Sequence, residues 1–104
     1  MTVYVDALIW ERHDRLWCHL LGDDDVQLHA LAAAIGCARH RYQSRPARPW
    51  VDHYDIDEQR RRMAIERGAV ALTRSEVVAL IARKRYASST ASPSATVPGS
   101  STAP

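Results

Sequence analysis

Asp52-His53-Tyr54-Asp55-Ile56-Asp57-Glu58 places an imidazole, a phenol and four carboxylates in seven residues. Pro46 and Pro49 break the chain before it, and Arg60, Arg61 and Arg62 follow it. Asp55 and Glu58 have the capping-box spacing, with Asp in place of Ser or Thr. The stretch therefore reads as a loop that opens a helix ending at Gly68. If so, the elements on either side decide the fold.

Upstream, Val3-Tyr4-Val5 is a short β-branched and aromatic run that ends at Asp6, and it reads as a first strand. Residues 7–22 carry Trp10, Leu16, Trp17, Leu20 and Leu21 without a clean period, so a long anchored loop is expected. Asp23-Asp24-Asp25 suits the positive end of a helix. Leu28, Leu31, Ala32 and Ile35 then give one apolar face, and Gly36 supplies the stop. Ala38, His40 and Tyr42 alternate with Arg39, Arg41 and Gln43, which predicts a second strand over 37–43. Downstream, Ala69–Leu72 reads as a third strand. Thr73 and Glu76 form a capping box for a last helix faced by Val77, Leu80 and Ile81.

This alternation predicts an α/β domain of two or three layers over residues 1–86. It would have a short parallel three-stranded sheet and about three helices. Residues 87–104 contain only Ala, Ser, Thr, Pro, Val and Gly, a composition that cannot offset ordering entropy by burial, so a disordered tail is expected. Cys18 and Cys37 form neither a disulfide framework nor a zinc motif, and they read as buried thiols in a reducing compartment. With no signal peptide and no apolar run long enough for a membrane, a cytoplasmic protein is expected.

The net charge of +2 hides an asymmetry. Residues 1–38 carry six acids and two bases, and residues 39–86 carry six acids and twelve bases. Such a split favours an anionic ligand on the second half, unless the arginines form only a solvated surface.

Ligands of open α/β sheets bind at the carboxyl ends of strands. That edge would collect Asp6, His19, His53, Asp55 and Arg74. Imidazole with carboxylate suits a divalent ion of the Zn, Mn or Fe type, and also acid–base work near neutral pH. His53, Asp55 and His19 are the candidate catalytic residues, and Asp6, His19 and His53 are candidate metal ligands. Arg61, Arg74 and Tyr54 are assigned to substrate binding. The reading is a site that acts on a phosphate ligand, a nucleotide or nucleic acid, as a metal-dependent phosphoester hydrolase. The alternative is a non-catalytic module that binds nucleic acid or protein, its histidines structural. Asp6 caps a turn or joins the site, and Asp55 caps a helix or joins the site. The tryptophans fill the core or stack bases.

Thr2-Val3-Tyr4-Val5-Asp6, Trp17-Cys18-His19-Leu20, Leu28-His29 with Gly36, His53-Tyr54-Asp55-Ile56 and Gly68-Ala69-Val70 together resemble domain-of-unknown-function family 4031. This is a small domain of bacteria and their phages, and the resemblance spans roughly residues 1–82. It implies shared polar residues at Asp6, His19, His29, His53, Tyr54 and Asp55, and it implies no established activity. The segment between Gln43 and His53 is longer than the family's usual form. The resemblance adds His29 to the candidate metal ligands, either completing a His19, His29, His53 cluster or orienting the loop.

Overall fold

In the computed structural model, which describes residues 2–91, the chain folds into three helices and one mixed sheet. The strands are β1 (Val3–Val5), β2 (Trp10–Arg12), β3 (Arg15–Gly22), β4 (Tyr42–Gln43), β5 (His53–Asp57) and β6 (Val70–Ala71). The helices are α1 (Asp25–Ala34), α2 (Glu58–Glu66) and α3 (Arg74–Ala91). The α/β class, the three helices and a parallel pairing, β1 with β6, agree with the expectation. Among the described residues the sheet has six strands rather than three. Its order is β4-β5-β3-β1-β6, and β2 also pairs with β3.

The added strands come mainly from residues 7–22. In place of the expected loop, β2 and β3 form a hairpin with Arg12 opposite Arg15. Its two-residue turn is His13-Asp14, with φ of 54° and 60°. Two successive positive φ angles match the right-handed twist of the flanking strands, and Asn-Gly is the usual sequence for them. His-Asp carries no such signature, so the hairpin was not legible. β3 pairs with β1 and β2 along one edge and with β5 along the other, which makes it the centre of the sheet.

Two further boundaries moved. Asp57, not Asp55, caps α2, accepting the Arg60 backbone N–H at 3.0 Å. The reason is alternation: Tyr54 and Ile56 are 1% and 0% exposed, while His53, Asp55 and Asp57 point to the other face. The opening stretch is therefore a strand that runs straight into a helix. The predicted strand over 37–43 shrinks to β4, preceded by a 3-10 turn at Arg39–Arg41, because Ala38 and His40 are exposed and only Tyr42 packs inward.

Other local signals held. Asp24 caps α1 by accepting from the Gln27 N–H at 2.8 Å. Thr73 and Glu76 exchange the reciprocal bonds of a capping box at the start of α3. Gly36 and Gly68, with φ of 78° and 102°, end α1 and α2 in the left-handed region that glycine favours. α3 continues five residues into the segment read as a tail, and the rest of that segment lies outside the described residues.

The sheet has two unlike faces. Val5, Cys18, Leu20, Tyr54 and Ile56 meet Leu28 and Ala32 of α1, Ile35 at its C-cap and Ala64 of α2 in the main core. The opposite face carries His19, Leu21, His53 and Asp55, with α3 lying across part of it. Among the described residues no helix is long and apolar enough to cross a membrane.

Candidate metal centre

β3 and β5 set the site. His19 lies directly opposite Asp55 in their antiparallel ladder, so both side chains leave the sheet on one face. His53 is two residues from Asp55 on the same strand and shares that face. One ligand atom from each of His19, His53 and Asp55 falls within 4.8 Å of the other two. His53 Nε2 is already 3.3 Å from Asp55 Oδ1. A tetrahedral zinc ion holds its ligand atoms about 3.4 Å apart, so modest side-chain rotation brings the third to the same point.

The outer partners fix which ring nitrogens face this point. His53 Nδ1 donates to the Val51 carbonyl at 2.8 Å, which leaves Nε2 as the nitrogen that faces Asp55. His19 Nδ1 lies 2.6 Å from Asp6 Oδ2, which likewise leaves Nε2 as the outward nitrogen. Asp55 uses Oδ1 toward His53, and its Oδ2 accepts from Gln43 Nε2 at 2.6 Å. Metal-bound histidines are commonly held in this way, the far N–H given to a carboxylate or carbonyl.

Asp6 reaches its position through an interruption in the sheet. The chain leaves β1 at Val5, still gives the Asp6 N–H to the His19 carbonyl at 3.3 Å, and next meets β3 at Ile9, whose N–H donates to the Trp17 carbonyl at 3.1 Å. Across that gap Asp6 Oδ1 accepts the His19 backbone N–H at 2.6 Å. One carboxylate thus closes the ladder and orients the imidazole. Trp10 covers the other side of the His19 ring, its centroid 4.8 Å away.

The hydrogen bond to Asp6 raises the His19 pKa above its ordinary value, against an opposing effect of burial. With the folded value above the unfolded one, the pair's contribution to stability is full below the unfolded pKa. It is lost as pH rises through the folded one. NMR titration of metal-free protein is expected to place the His19 midpoint above the ordinary histidine value. In Asp6→Asn it should fall, because burial is then opposed only by the charge of Asp55. An unchanged midpoint in that variant would show that Asp6 is not the cause.

The remaining candidates are distributed as follows. His29 and Tyr54 lie on the other face of the sheet, His29 Nδ1 being 2.8 Å from the Tyr54 hydroxyl. Tyr42 stacks edge-on against His29 at 4.5 Å. α1 carries His29 into the core layer, so it does not join the His19–His53 cluster, and Tyr54, 1% exposed, does not face a substrate there. Arg61 Nε donates to the Asp6 carbonyl at 2.9 Å and ties α2 to the end of β1. Arg74 lies with His19 and His53 along a cleft of about 520 Å³ between the sheet and α3. Cys18 points into the core, where burial pushes its thiol up to about 12, with Asp6 adding to the rise.

Sequence reasoning missed Gln43, Trp10 and the Val51 carbonyl. Gln43 was visible only as the outward residue of an alternating run, and a backbone carbonyl leaves no trace in side-chain chemistry. The model of the family described as Protein of unknown function (DUF4031) matches residues 3–84. The chain is a DUF4031 protein. No curated protein and no solved structure gives a significant match. The DUF4031 match takes in every residue of the cluster together with Asp6, Gln43, Val51 and Arg74.

Proposed function

We propose that this DUF4031 domain is a divalent-metal-dependent phosphoesterase that acts on a nucleotide or nucleic-acid type of substrate. The observation that carries the reading is the double commitment of Nδ1. Asp6 and the Val51 carbonyl engage Nδ1 of both histidines, which leaves Nε2 of each for the side of the Asp55 carboxylate on the same face. Two imidazoles and one carboxylate suit Zn, Mn or Fe(II) and leave coordination positions open. When bound, such an ion supplies Lewis acidity toward a phosphoryl oxygen and makes a water more acidic.

His19, His53 and Asp55 hold that centre, and Asp6 keeps the His19 ring turned toward it. Arg74 receives the anionic group. In the hydrolysis a water oxygen bonds to phosphorus as the ester P–O bond breaks. The bond pair leaves with the alcohol oxygen, which takes up a proton. The products are an alcohol and phosphate from a monoester, or an alcohol and a phosphate monoester from a diester. A reducing cytoplasm fits two buried cysteines that both remain free thiols.

The test is turnover of nitrophenyl phosphate and bis(nitrophenyl) phosphate with added Mn²⁺ or Zn²⁺. Metal-dependent release of nitrophenol is expected, abolished by a chelator. Asp55→Asn should lower it by at least about a hundredfold, since one ligand and its charge are lost. No turnover, together with steeply salt-dependent binding of nucleic acid by the unaltered and the Asp55→Asn protein alike, would leave a binding module in its place.

A further inference from the structure

The cleft beside the cluster narrows the substrate class. Its two walls are apolar. Leu21 of β3 and Val51, in the turn before β5, form one side, and Val77, Val78 and Ile81 form the α3 side. Arg74 stands on the same helical stripe, three to four residues before Val77 and Val78 and seven before Ile81. Its guanidinium has no ion pair or hydrogen bond among the described residues. By contrast Arg15 and Arg60 are paired with Asp57, Arg62 with Glu58 and Arg83 with Asp23. Arg61 is spent on the Asp6 carbonyl. The floor is formed by Asp6, His19 and His53.

A volume of about 520 Å³ is that of a small-molecule site. Polymeric nucleic acid is held otherwise, by a groove with many cations that track successive phosphates. Here, among the described residues, one free cation faces the cleft, and the walls beside it are hydrocarbon.

We infer that the cleft binds a small phosphate monoester with a bulky apolar or aromatic body. The body lies between Leu21 and Val51 on one side and Val77, Val78 and Ile81 on the other. The phosphate bridges Arg74 and the His19–His53 end. This rests on the phosphoesterase reading for the placement of the phosphate, while the apolar clamp and Arg74 stand apart from it. The exposed Val78, 62% accessible, closes over a bound ring rather than supporting the core.

Phosphonates make suitable probes because their C–P bond is not hydrolysed. Naphthylmethylphosphonate, methylphosphonate and a single-stranded oligothymidylate are titrated calorimetrically into the full chain, with and without Mn²⁺. The naphthyl compound is expected to bind at least about tenfold more tightly than methylphosphonate, from burial of its rings. Arg74→Ala should weaken both phosphonates by about tenfold or more, through loss of a charge-assisted bond. Val78→Asp, at an exposed position, should remove the naphthyl preference. Equal affinity for the two phosphonates, tighter binding of the oligonucleotide, or wild-type behaviour of both variants would each overturn the inference. If Mn²⁺ does not bind but the naphthyl preference and both variant effects hold, the cleft stands and the metal reading falls. If Mn²⁺ binds and the preference is missing, the cleft inference alone falls.

Discussion

Replacing His53 with alanine is expected to lower affinity for Mn²⁺ or Zn²⁺ by well over about a hundredfold, more than loss of an outer partner costs. His53 supplies Nε2 at the centre of the cluster, 3.3 Å from Asp55, and its Nδ1 is already engaged by Val51. His29 cannot take its place, because it faces the opposite side of the sheet, paired with Tyr54. Asp6→Asn should weaken the same metal by roughly ten- to a hundredfold, since it changes the partner of His19 and not a ligand. Thermal unfolding reads both. An ion at a hundred times its Kd stabilises the folded state by about 2.7 kcal/mol. For a domain of this size that raises Tm by roughly 10–20 °C. His53→Ala should lose the whole rise. A rise as large in His53→Ala as in wild type would place the ion elsewhere.

The second large effect is on stability. Leu20→Ala is expected to cost about 3 kcal/mol, within the roughly 2–5 kcal/mol range for truncating a core leucine. Leu20 is fully buried on the central strand, opposite Val5 on one side and Tyr54 on the other. A small domain holds only about 5–15 kcal/mol in all, so the midpoint in urea should move strongly. Leu16→Ala on the same strand is the control. Leu16 is 43% exposed near the hairpin turn, and the change should stay within about 0.5 kcal/mol. Equal small effects from both would mean that residues 15–22 are not a core strand.

These two variants fall on either side of what the sequence disclosed. Asp6, His19, His53 and Asp55 were found from residue chemistry and a rule about strand ends, and three of them form the cluster while Asp6 supports it. The route was partly wrong, because the strand-end rule belongs to parallel sheets, and here β3 and β5 are antiparallel. His19 and Asp55 meet across a ladder rather than at an edge. The ladder was hidden because β3 depends on a His-Asp turn that lacks glycine or asparagine. It was hidden also because β5 looked like a cap: Asp55 and Asp57 are the same residue type two positions apart, and only tertiary burial of Tyr54 and Ile56 decides between them. The other helix ends needed no tertiary information, which is why Asp24, Gly36, Gly68 and the Thr73–Glu76 box were legible.

The alternation along β3 and β5 divides labour by parity. Even positions 18, 20, 54 and 56 hold the fold together, while odd positions 19, 53 and 55 form the His/Asp cluster. Mutational drift can therefore explore new reactivity at the odd positions without eroding the interior. Insertion or deletion of a single residue in either strand has no such freedom, since it would exchange the two sets at once. Lineages that retain this domain should vary by substitution within these strands and by length only in the turns between them.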